Sequence, residues 1–538
     1  MKEKLKPKRG ELIHVFTYSL QCNHCAISFL VILRMPAAKG MSISAVIVIL
    51  LALTVWGMEG NVVTSSLLQG GHKALTILWI LFGALALLKT LQKTGAVDRI
   101  NQGFQSISGD MRVQVIIVAF LFGSLIEGAA GFGAPAMVTG PLLFALGFGP
   151  LAAATIALVA DSTAVAFGAV GTPVAVGLSN IPDAGETFFQ NIAVSVTTMD
   201  IFAGTFIPFI LIAILTSFGK GIKDSFALLP WTLVIGVVYT GSALLYAAVV
   251  GHEFVSILAS LTGLVVATYT AKKGWLLPKT EWKLALSDDF QESPEKSDMG
   301  IVTAWSPYII VVILLLFTRI VPWLKDFAMS AIDLTWSNIL GIEGITSDWE
   351  FLYSPGTILT LAAFVAIFIQ RKSLTIFAKA SKESLSSMKM TAISLVATLA
   401  MVQVFVNSGM NMNDLVSMPQ YIAESLADSL GSIWIFVAPF LGELGVFITG
   451  SATVSTLTFS PIQFNVATDI GLDVNTVLAA QLIGAGAGNM ICVHNVVAAS
   501  AAVGLSGKEG DIIRKTLIPA FIYGLLVGVA GFVFISIF

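Results

Sequence analysis

The amino-acid sequence predicts an all-α polytopic membrane protein with roughly 12–14 membrane segments. The chain has 538 residues, of which 56% are hydrophobic and only 11% are charged, whereas soluble domains carry about 25% charged residues. Apolar runs long enough to cross a hydrocarbon core of about 30 Å recur along the whole length. In lipid, such runs form helices, because a helix hydrogen-bonds its own backbone N–H and C=O groups. The net charge of -3 gives no indication of nucleic-acid binding.

Residues 1–40 are predicted to form a basic N-terminus and a weak first membrane segment. Polar residues interrupt the apolar stretch that follows "MKEKLKPKRG", and its longest clean run is Ala26 to Leu33. That run is also compatible with the core of a signal peptide, so both interpretations stay open. Cys22, His24 and Cys25 lie together, but no second ligand pair follows at zinc-like spacing. No metal or cofactor is therefore predicted.

The rest of the chain is predicted to form two transmembrane halves, at 41–271 and 305–538, joined by a polar cytoplasmic linker at 272–304. Uninterrupted spans are predicted from apolar runs with basic flanks. They lie near 42–57, 74–91, 192–217, 225–250, 254–271, 305–323, 357–371, 389–408 and 516–537. Each half also contains one apolar stretch that is broken by Gly, Pro, Ser, Thr and Asn, at 113–178 and at 431–505.

Lysine and arginine are concentrated in the loops around 89–112, 220–223, 272–283, 371–382 and 508–515, which are predicted to be cytoplasmic. The loops at 181–190, 324–356 and 409–430 carry acids and almost no Lys or Arg, and are predicted to be outside. The first broken stretch then begins inside and ends outside, and the second runs the other way. Two similar broken stretches crossed in opposite directions are typical of inverted repeats in secondary transporters.

The broken stretches are the predicted substrate site, because irregular backbone at membrane depth is tolerated where it lines a cavity. Free N–H groups at the ends of half-helices suit a small anion. Neither stretch contains Lys or Arg, so helix termini, amides and hydroxyls are predicted to hold a carboxylate substrate. Close helix packing is the alternative explanation of the glycines. The predicted binding residues are Gly131, Gly133, Ser162, Thr172, Ser451, Thr453, Asn489 and Asn495.

Ionisable side chains within the predicted spans are candidates for proton coupling, since each charge at the bilayer centre costs about 2.5–3.5 kcal/mol. Glu127 and Asp161 flank the first break and His494 lies in the second, so these three are the predicted coupling residues. Capping of free N–H groups by Glu127 and simple packing of His494 are the alternatives. Asp200 lies in the middle of a predicted span, and its role is ambiguous. For Glu443, the alternative to a role inside the membrane is a solvated carboxylate near the outer end of its helix.

Four motifs carry a family resemblance: "GSLIEGAAGFGAP", "ADSTAVAFGAVGTP", "GSATVST" and "GNMICVHNVVAASAAVGL". In this order they resemble the L-lactate permease family, from Val31 to the C-terminus. The resemblance implies a proton-coupled importer of lactate and related short 2-hydroxy acids such as glycolate, in the bacterial inner membrane. It also implies a scaffold that supports a mobile domain with re-entrant hairpins. A homodimer is allowed but not required. Asp161 departs from the family pattern where an amide is expected, and Glu443 where a small residue is expected.

Two other functions remain as alternatives. A sodium-coupled carboxylate carrier would use hydroxyl and carbonyl oxygens near Ser162 and Ser451 to hold the ion. An intramembrane enzyme is disfavoured, because the sequence contains no HExxH motif, no phosphate loop and no nucleophile–base motif.

Overall fold

The structure is a computed structural model that describes residues 32–33, 35–131, 133–182, 184–219, 221–286 and 299–537. In these residues the secondary structure is helical, with isolated β-bridges instead of strands. Two of the bridges, Asp333–Glu350 and Trp336–Ser347, organise the loop at 331–354. The cluster of Cys22, His24 and Cys25 lies outside the described residues.

The first half of the chain forms helices whose order matches the predicted spans. They are α1 (Ala37–Thr54), α2 (Gly60–Thr94), α3 (Ala96–Ile107), α4 (Met111–Val115), α5 (Gly123–Ala130), α6 (Ala134–Ala145), α7 (Pro150–Ala160), α8 (Gly168–Ala175), α9 (Glu186–Ala203), α10 (Ile207–Ser217), α11 (Leu229–Val249) and α12 (Val255–Lys272). A π-helical segment, Ile116–Phe122, joins α4 to α5.

The second half begins after the linker, of which residues 273–286 and 299–300 are described. Its helices are α13 (Ile301–Ile320), α14 (Pro322–Ser330), α15 (Pro355–Ile369), α16 (Leu374–Ser387), α17 (Lys389–Val406), α18 (Met418–Leu430), α19 (Trp434–Thr449), α20 (Ala452–Ile470), α21 (Val474–Asn489), α22 (Val493–Ala502) and α23 (Glu509–Ile537).

The all-helical membrane fold predicted from the sequence is confirmed. Among the described residues, 10 helical segments are long and apolar enough to cross a membrane, or 11 if the bent pair α7–α8 counts as one span. Three shorter apolar helices, α6, α15 and α19, add to these. Helices α14, α16 and α18 occupy segments that the sequence analysis had assigned to loops. Each is short, so hydropathy alone does not reveal it.

Both broken stretches have the same order of elements: a helical hairpin followed by an interrupted helix. In the first hairpin, α6 packs back against α5 and the π-helical segment, and α7–α8 follows with a bend of 60°. In the second hairpin, α20 packs back against α19, and α21–α22 follows with an interruption at residues 490–492. This shared order agrees with the predicted repeats, and their opposite direction remains a prediction from loop charge.

The helices divide into two groups that meet at the hairpins. Helix α2 packs against α15, α16 and α17, and α17 packs against α1. The second group holds both hairpins and is built around α19, α21 and α23, which pack against one another. Helices α21 and α22 are buried in this group from Thr476 to Ala502. The site described below therefore lies within the second group, next to the first.

The opposite direction of the hairpins is tested by labelling single cysteines at Lys279, Lys508 and Asp333, which are all exposed. Cys22 and Cys25 are first replaced by Ser. We expect an impermeant thiol reagent added to intact cells to label position 333 alone, because the basic loops around Lys279 and Lys508 are cytoplasmic. Permeabilised cells should label all three positions. Labelling of all three in intact cells would contradict the assignment.

Candidate functional site

The tips of the two hairpins and the two interrupted helices enclose one cavity in the second group of helices. Its walls are formed by Glu127, Gly131, Gly133, Val165, Gly168, Ala169, Pro173, Gly450, Ser451, Ala452, Thr453 and Asn489. Both glycine-rich breaks predicted from the sequence therefore contribute to the same site. The volume open to water-sized molecules is about 20 Å³, little more than one water requires. A three-carbon acid enters only if the tips move apart.

The tip of the first hairpin depends on two glycines with left-handed backbone. Gly131 has φ 65° and Gly133 has φ 72°, and Gly133 is the N-cap of α6. Residues with a side chain adopt this conformation at a cost of about 1–2 kcal/mol. Space is equally restrictive, because a Cβ on Gly133 would lie 2.7 Å from Cγ of Asn495. The backbone can approach the second break this closely because no side chain is present.

The tip of the second hairpin presents the N-terminus of α20 to the cavity. Gly450 ends α19 in the left-handed region with φ 77°. Ser451 caps the next helix, since its Oγ accepts a hydrogen bond of 3.3 Å from the backbone N–H of Val454. The remaining N–H groups of the first turn of α20 have no intrahelical acceptor and carry partial positive charge. This end of the cavity therefore suits an anion, and binding of a carboxylate here stays a prediction.

The cavity also contains strained backbone where α8 begins. Ala169 and Val170 at the start of α8 have φ 45° and 57°, and Ala169 lines the cavity. Such non-glycine residues cost about 1–3 kcal/mol each and persist where the surrounding structure holds them. A Cβ on Gly131 would lie 2.8 Å from Cβ of Ala169, so the first tip packs directly on this strained segment.

Glu127 and Asp161 form a buried pair of acids at the cavity. Each side chain is 2% exposed, and the two carboxyl groups interact directly. Oε2 of Glu127 and Oδ1 of Asp161 have no hydrogen-bond partner among the described residues. An ionised carboxylate only accepts hydrogen bonds, so a hydrogen bond between the two requires a proton on one of them. Two adjacent buried negative charges would also repel strongly. We therefore expect the pair to hold at least one proton.

A chain of amides connects this pair to the second break. Nδ2 of Asn489 donates to Oδ2 of Asp161 at 2.9 Å and to its backbone carbonyl at 3.2 Å. Nδ2 of Asn495 then donates to Oδ1 of Asn489 at 2.6 Å. Oδ1 of Asn495 faces Gly133 and has no hydrogen-bond partner in the described part of the chain. The first tip, the acid pair and the second break thus form one polar unit.

Three other predicted residues, Ser162, Thr172 and His494, do not line the cavity. The hydroxyls of Ser162 and Thr172 donate to the backbone carbonyls of Val159 and Ala169 and do not line the cavity. His494 lies behind the second tip, with Nδ1 3.2 Å from Sγ of Cys492. Its role in coupling remains a prediction.

The two acids with open assignments both lie away from the cavity. The hydroxyl of Tyr523 donates to Oδ1 of Asp200 at 2.5 Å, which gives that acid a structural partner between α9 and α23. Glu443 is 7% exposed and borders a separate apolar cavity beside Phe440 and Leu444. A solvated carboxylate at a helix end is therefore the wrong interpretation of Glu443.

One charged residue near the site was missed by the sequence analysis. Arg319 lies at the end of α13, outside both broken stretches, and its Nε donates to the carbonyl of Ala129 at 3.4 Å. Ala129 is two residues before Gly131 at the first tip. An arginine in the last turn of a predicted span ordinarily extends to the membrane surface, so its position in the sequence did not reveal this contact.

Comparison with known proteins places the chain among the permeases of short hydroxy acids by sequence similarity. The family model described as L-lactate permease matches residues 25–538. The L-lactate permease of Bacillus subtilis (strain 168) is 31% identical over 527 residues, covering 90% of each chain. The glycolate permease GlcA of Escherichia coli (strain K12) is 30% identical over 540 residues, covering 93% of this chain and 92% of that protein. The crystal structure of the Alcanivorax borkumensis YdaH transporter covers 86% of both chains with 14% identity and a TM-score of 0.29, too low to carry an argument.

Proposed function

Because this chain belongs to the L-lactate permease family, we propose that it imports L-lactate and related short 2-hydroxy monocarboxylates, such as glycolate, by proton symport across the inner membrane of a bacterium. The curated relatives are named as permeases, which are transporters and not enzymes. These relatives are named for lactate and for glycolate, and both compounds are 2-hydroxy acids. The shared carboxylate and neighbouring hydroxyl are the groups that the site would recognise.

The observation that supports this proposal most directly is the cavity between the hairpin tips. It combines a helix N-terminus at Ser451, suited to a carboxylate, with the amide oxygen of Asn489. That oxygen accepts from Asn495, and its second lone pair can accept a hydrogen bond from a hydroxyl. The acid pair of Glu127 with Asp161 lies at the same cavity. Anion binding and proton binding therefore occur within one enclosed space, and each can influence the other.

Proton symport follows from the energetics of moving an anion into a negative interior. Entry of one negative charge against 100 mV is opposed by about 2.3 kcal/mol. A proton that travels with each lactate cancels this opposition. The pair formed by Glu127 and Asp161 can take up that proton without leaving an isolated charge in the membrane, because each carboxyl supports the other by hydrogen bonding.

The proposal predicts which acids exchange across the membrane. In proteoliposomes loaded with unlabelled L-lactate, we expect rapid counterflow of labelled L-lactate and of glycolate, because both place a hydroxyl beside the carboxylate. Propionate, which lacks the hydroxyl, should be exchanged more slowly by about tenfold, since it cannot donate a hydrogen bond to the amide oxygen of Asn489. Equal rates for propionate and lactate would contradict recognition of the hydroxyl.

The same vesicles distinguish the proton from sodium as the coupling ion. We expect a pH gradient, acidic outside, to drive lactate accumulation in sodium-free buffer. Accumulation that requires a sodium gradient and ignores the pH gradient would favour the sodium-coupled alternative. Liposomes without protein give the background from passive diffusion of the undissociated acid.

A further inference from the structure

Arg319 is a buried cation that forms no ion pair with a carboxylate in the described part of the chain, and the charge of Glu350 acts on it only from a distance. Its side chain lies under the loop at 331–354, where Nη2 donates to the carbonyl of Tyr353 at 3.3 Å. The Tyr353 ring lies against the guanidinium, with Cζ 3.3 Å from the ring centre. Nη1 is buried and makes no hydrogen bond with any described residue. An arginine so placed keeps its positive charge, because its guanidinium cannot be deprotonated in practice.

The comparison with Arg112 shows how this chain normally satisfies a buried arginine. Arg112 is 3% exposed and Arg319 is 9% exposed. Arg112 binds the Asp110 carboxylate through Nε at 2.9 Å and Nη2 at 2.6 Å, and its Nη1 donates to a backbone carbonyl at 2.6 Å. Among the described residues, Arg319 is contacted by backbone carbonyls and an aromatic ring. A buried charge without a direct counter-ion is costly, so a carboxylate in contact with the guanidinium is the partner that Arg112 has and Arg319 lacks.

The position of Arg319 next to the first tip indicates where that anion comes from. The carbonyl of Ala129 accepts from Nε and belongs to the last turn of α5, which ends at Gly131. Gly131 lines the cavity. Arg319 does not line the closed cavity itself, but it contacts a residue two positions from the cavity wall at Gly131. Simple capping of the end of α5 explains the bond from Nε, but it leaves Nη1 without a function.

We propose that Arg319 binds the carboxylate of the substrate as it enters between the hairpin tips and selects for anionic over neutral ligands. This inference rests on the proposed function, because it takes a short hydroxy acid as the ligand. The planar guanidinium presents two parallel N–H groups to a carboxylate, which a point charge does not. Arg319 thereby supplies the cation that neither broken stretch contains.

The test compares lactate with lactamide, its uncharged analogue, in counterflow by Arg319→Gln, Arg319→Lys and wild-type protein. In Arg319→Gln we expect the half-saturating lactate concentration to rise about 10–100-fold, because a hydrogen bond to a charged group is lost. The half-inhibitory lactamide concentration should stay within about twofold of wild type. Arg319→Lys should fall in between, since it retains the charge but not the bidentate geometry.

Arg99→Gln is the matched control. Arg99 is half-buried and also donates through Nε to a backbone carbonyl, that of Met299 at 2.9 Å, and we expect no change there. Weakening of lactate and lactamide to the same extent in Arg319→Gln would show a structural role and overturn the proposal. So would an unchanged ratio in Arg319→Lys, which decides the question if Arg319→Gln fails to insert. Absence of counterflow in the wild type would instead contradict the proposed function.

Discussion

Replacement of Gly133 by leucine is expected to abolish lactate uptake, by at least about 100-fold, while the protein still inserts into the membrane. Its φ of 72° disfavours any side chain. A Cβ would also lie 2.7 Å from Cγ of Asn495, so the leucine would push apart the amide chain that leads to Asp161. Uptake in cells and the amount of protein in the membrane fraction are the two measurements.

Gly95→Leu is the control for backbone strain alone. Gly95 has φ 80°, and no atom lies within 4 Å of a Cβ at that position. We expect Gly95→Leu to retain most of the lactate uptake.

Ser451→Leu tests the tip of the second hairpin, because it removes the cap of α20 and fills the space at the N-terminus of that helix. Normal uptake by Gly133→Leu or by Ser451→Leu would show that the substrate does not bind between the tips.

Substitution of Glu127 by glutamine is expected to uncouple transport from the proton gradient. Glutamine keeps the size and hydrogen-bonding capacity of the side chain, and its amide can donate to Asp161, but it cannot exchange a proton. A gradient of one pH unit corresponds to about 1.4 kcal/mol, which supports about tenfold accumulation by a one-to-one symporter. We expect Glu127→Gln to lose this accumulation in proteoliposomes and to retain lactate–lactate exchange.

Glu443→Gln provides the comparison for the loss of a buried acid elsewhere in the same group of helices. Glu443 borders an apolar cavity that shares no residue with the substrate cavity, so we expect coupling to survive. Accumulation near the wild-type level in Glu127→Gln would assign Glu127 a structural role, such as capping of the first tip. Asp161 or His494 would then be the coupling residue to examine next.

Much of the fold could be predicted from hydropathy because membrane helices follow simple rules of length and composition. The predicted spans at 42–57, 225–250 and 254–271 correspond to α1, α11 and α12. The hairpins could not be separated from interrupted spans in the same way. Gly131 and Gly450 mark a change in backbone direction, but a glycine also permits close packing of straight helices, and local sequence does not distinguish the two.

Some residues of the candidate site could be predicted from the sequence and others could not, again because local sequence does not show which groups a residue meets in the fold. Gly131, Gly133, Ser451, Thr453 and Asn489 line the cavity as the broken pattern indicated. Ser162 and Thr172 were chosen for their hydroxyls, yet a hydroxyl at membrane depth readily bonds to a carbonyl one turn earlier, as both of them do. Residue type identifies a possible donor, whereas local geometry decides whether that donor is still available.

Sequence by itself determined the class of protein, its family and the two regions that break helical structure, because hydropathy, loop charge and glycine spacing act over short stretches of chain. Tertiary structure alone decided which of those regions meet. The contact of Glu127 with Asp161, the hydrogen bond from Asn489 to Asp161, and the approach of Arg319 to Ala129 join residues from 34 to 328 positions apart. Such contacts depend on how whole helices pack, and packing is set by shape across many side chains at once.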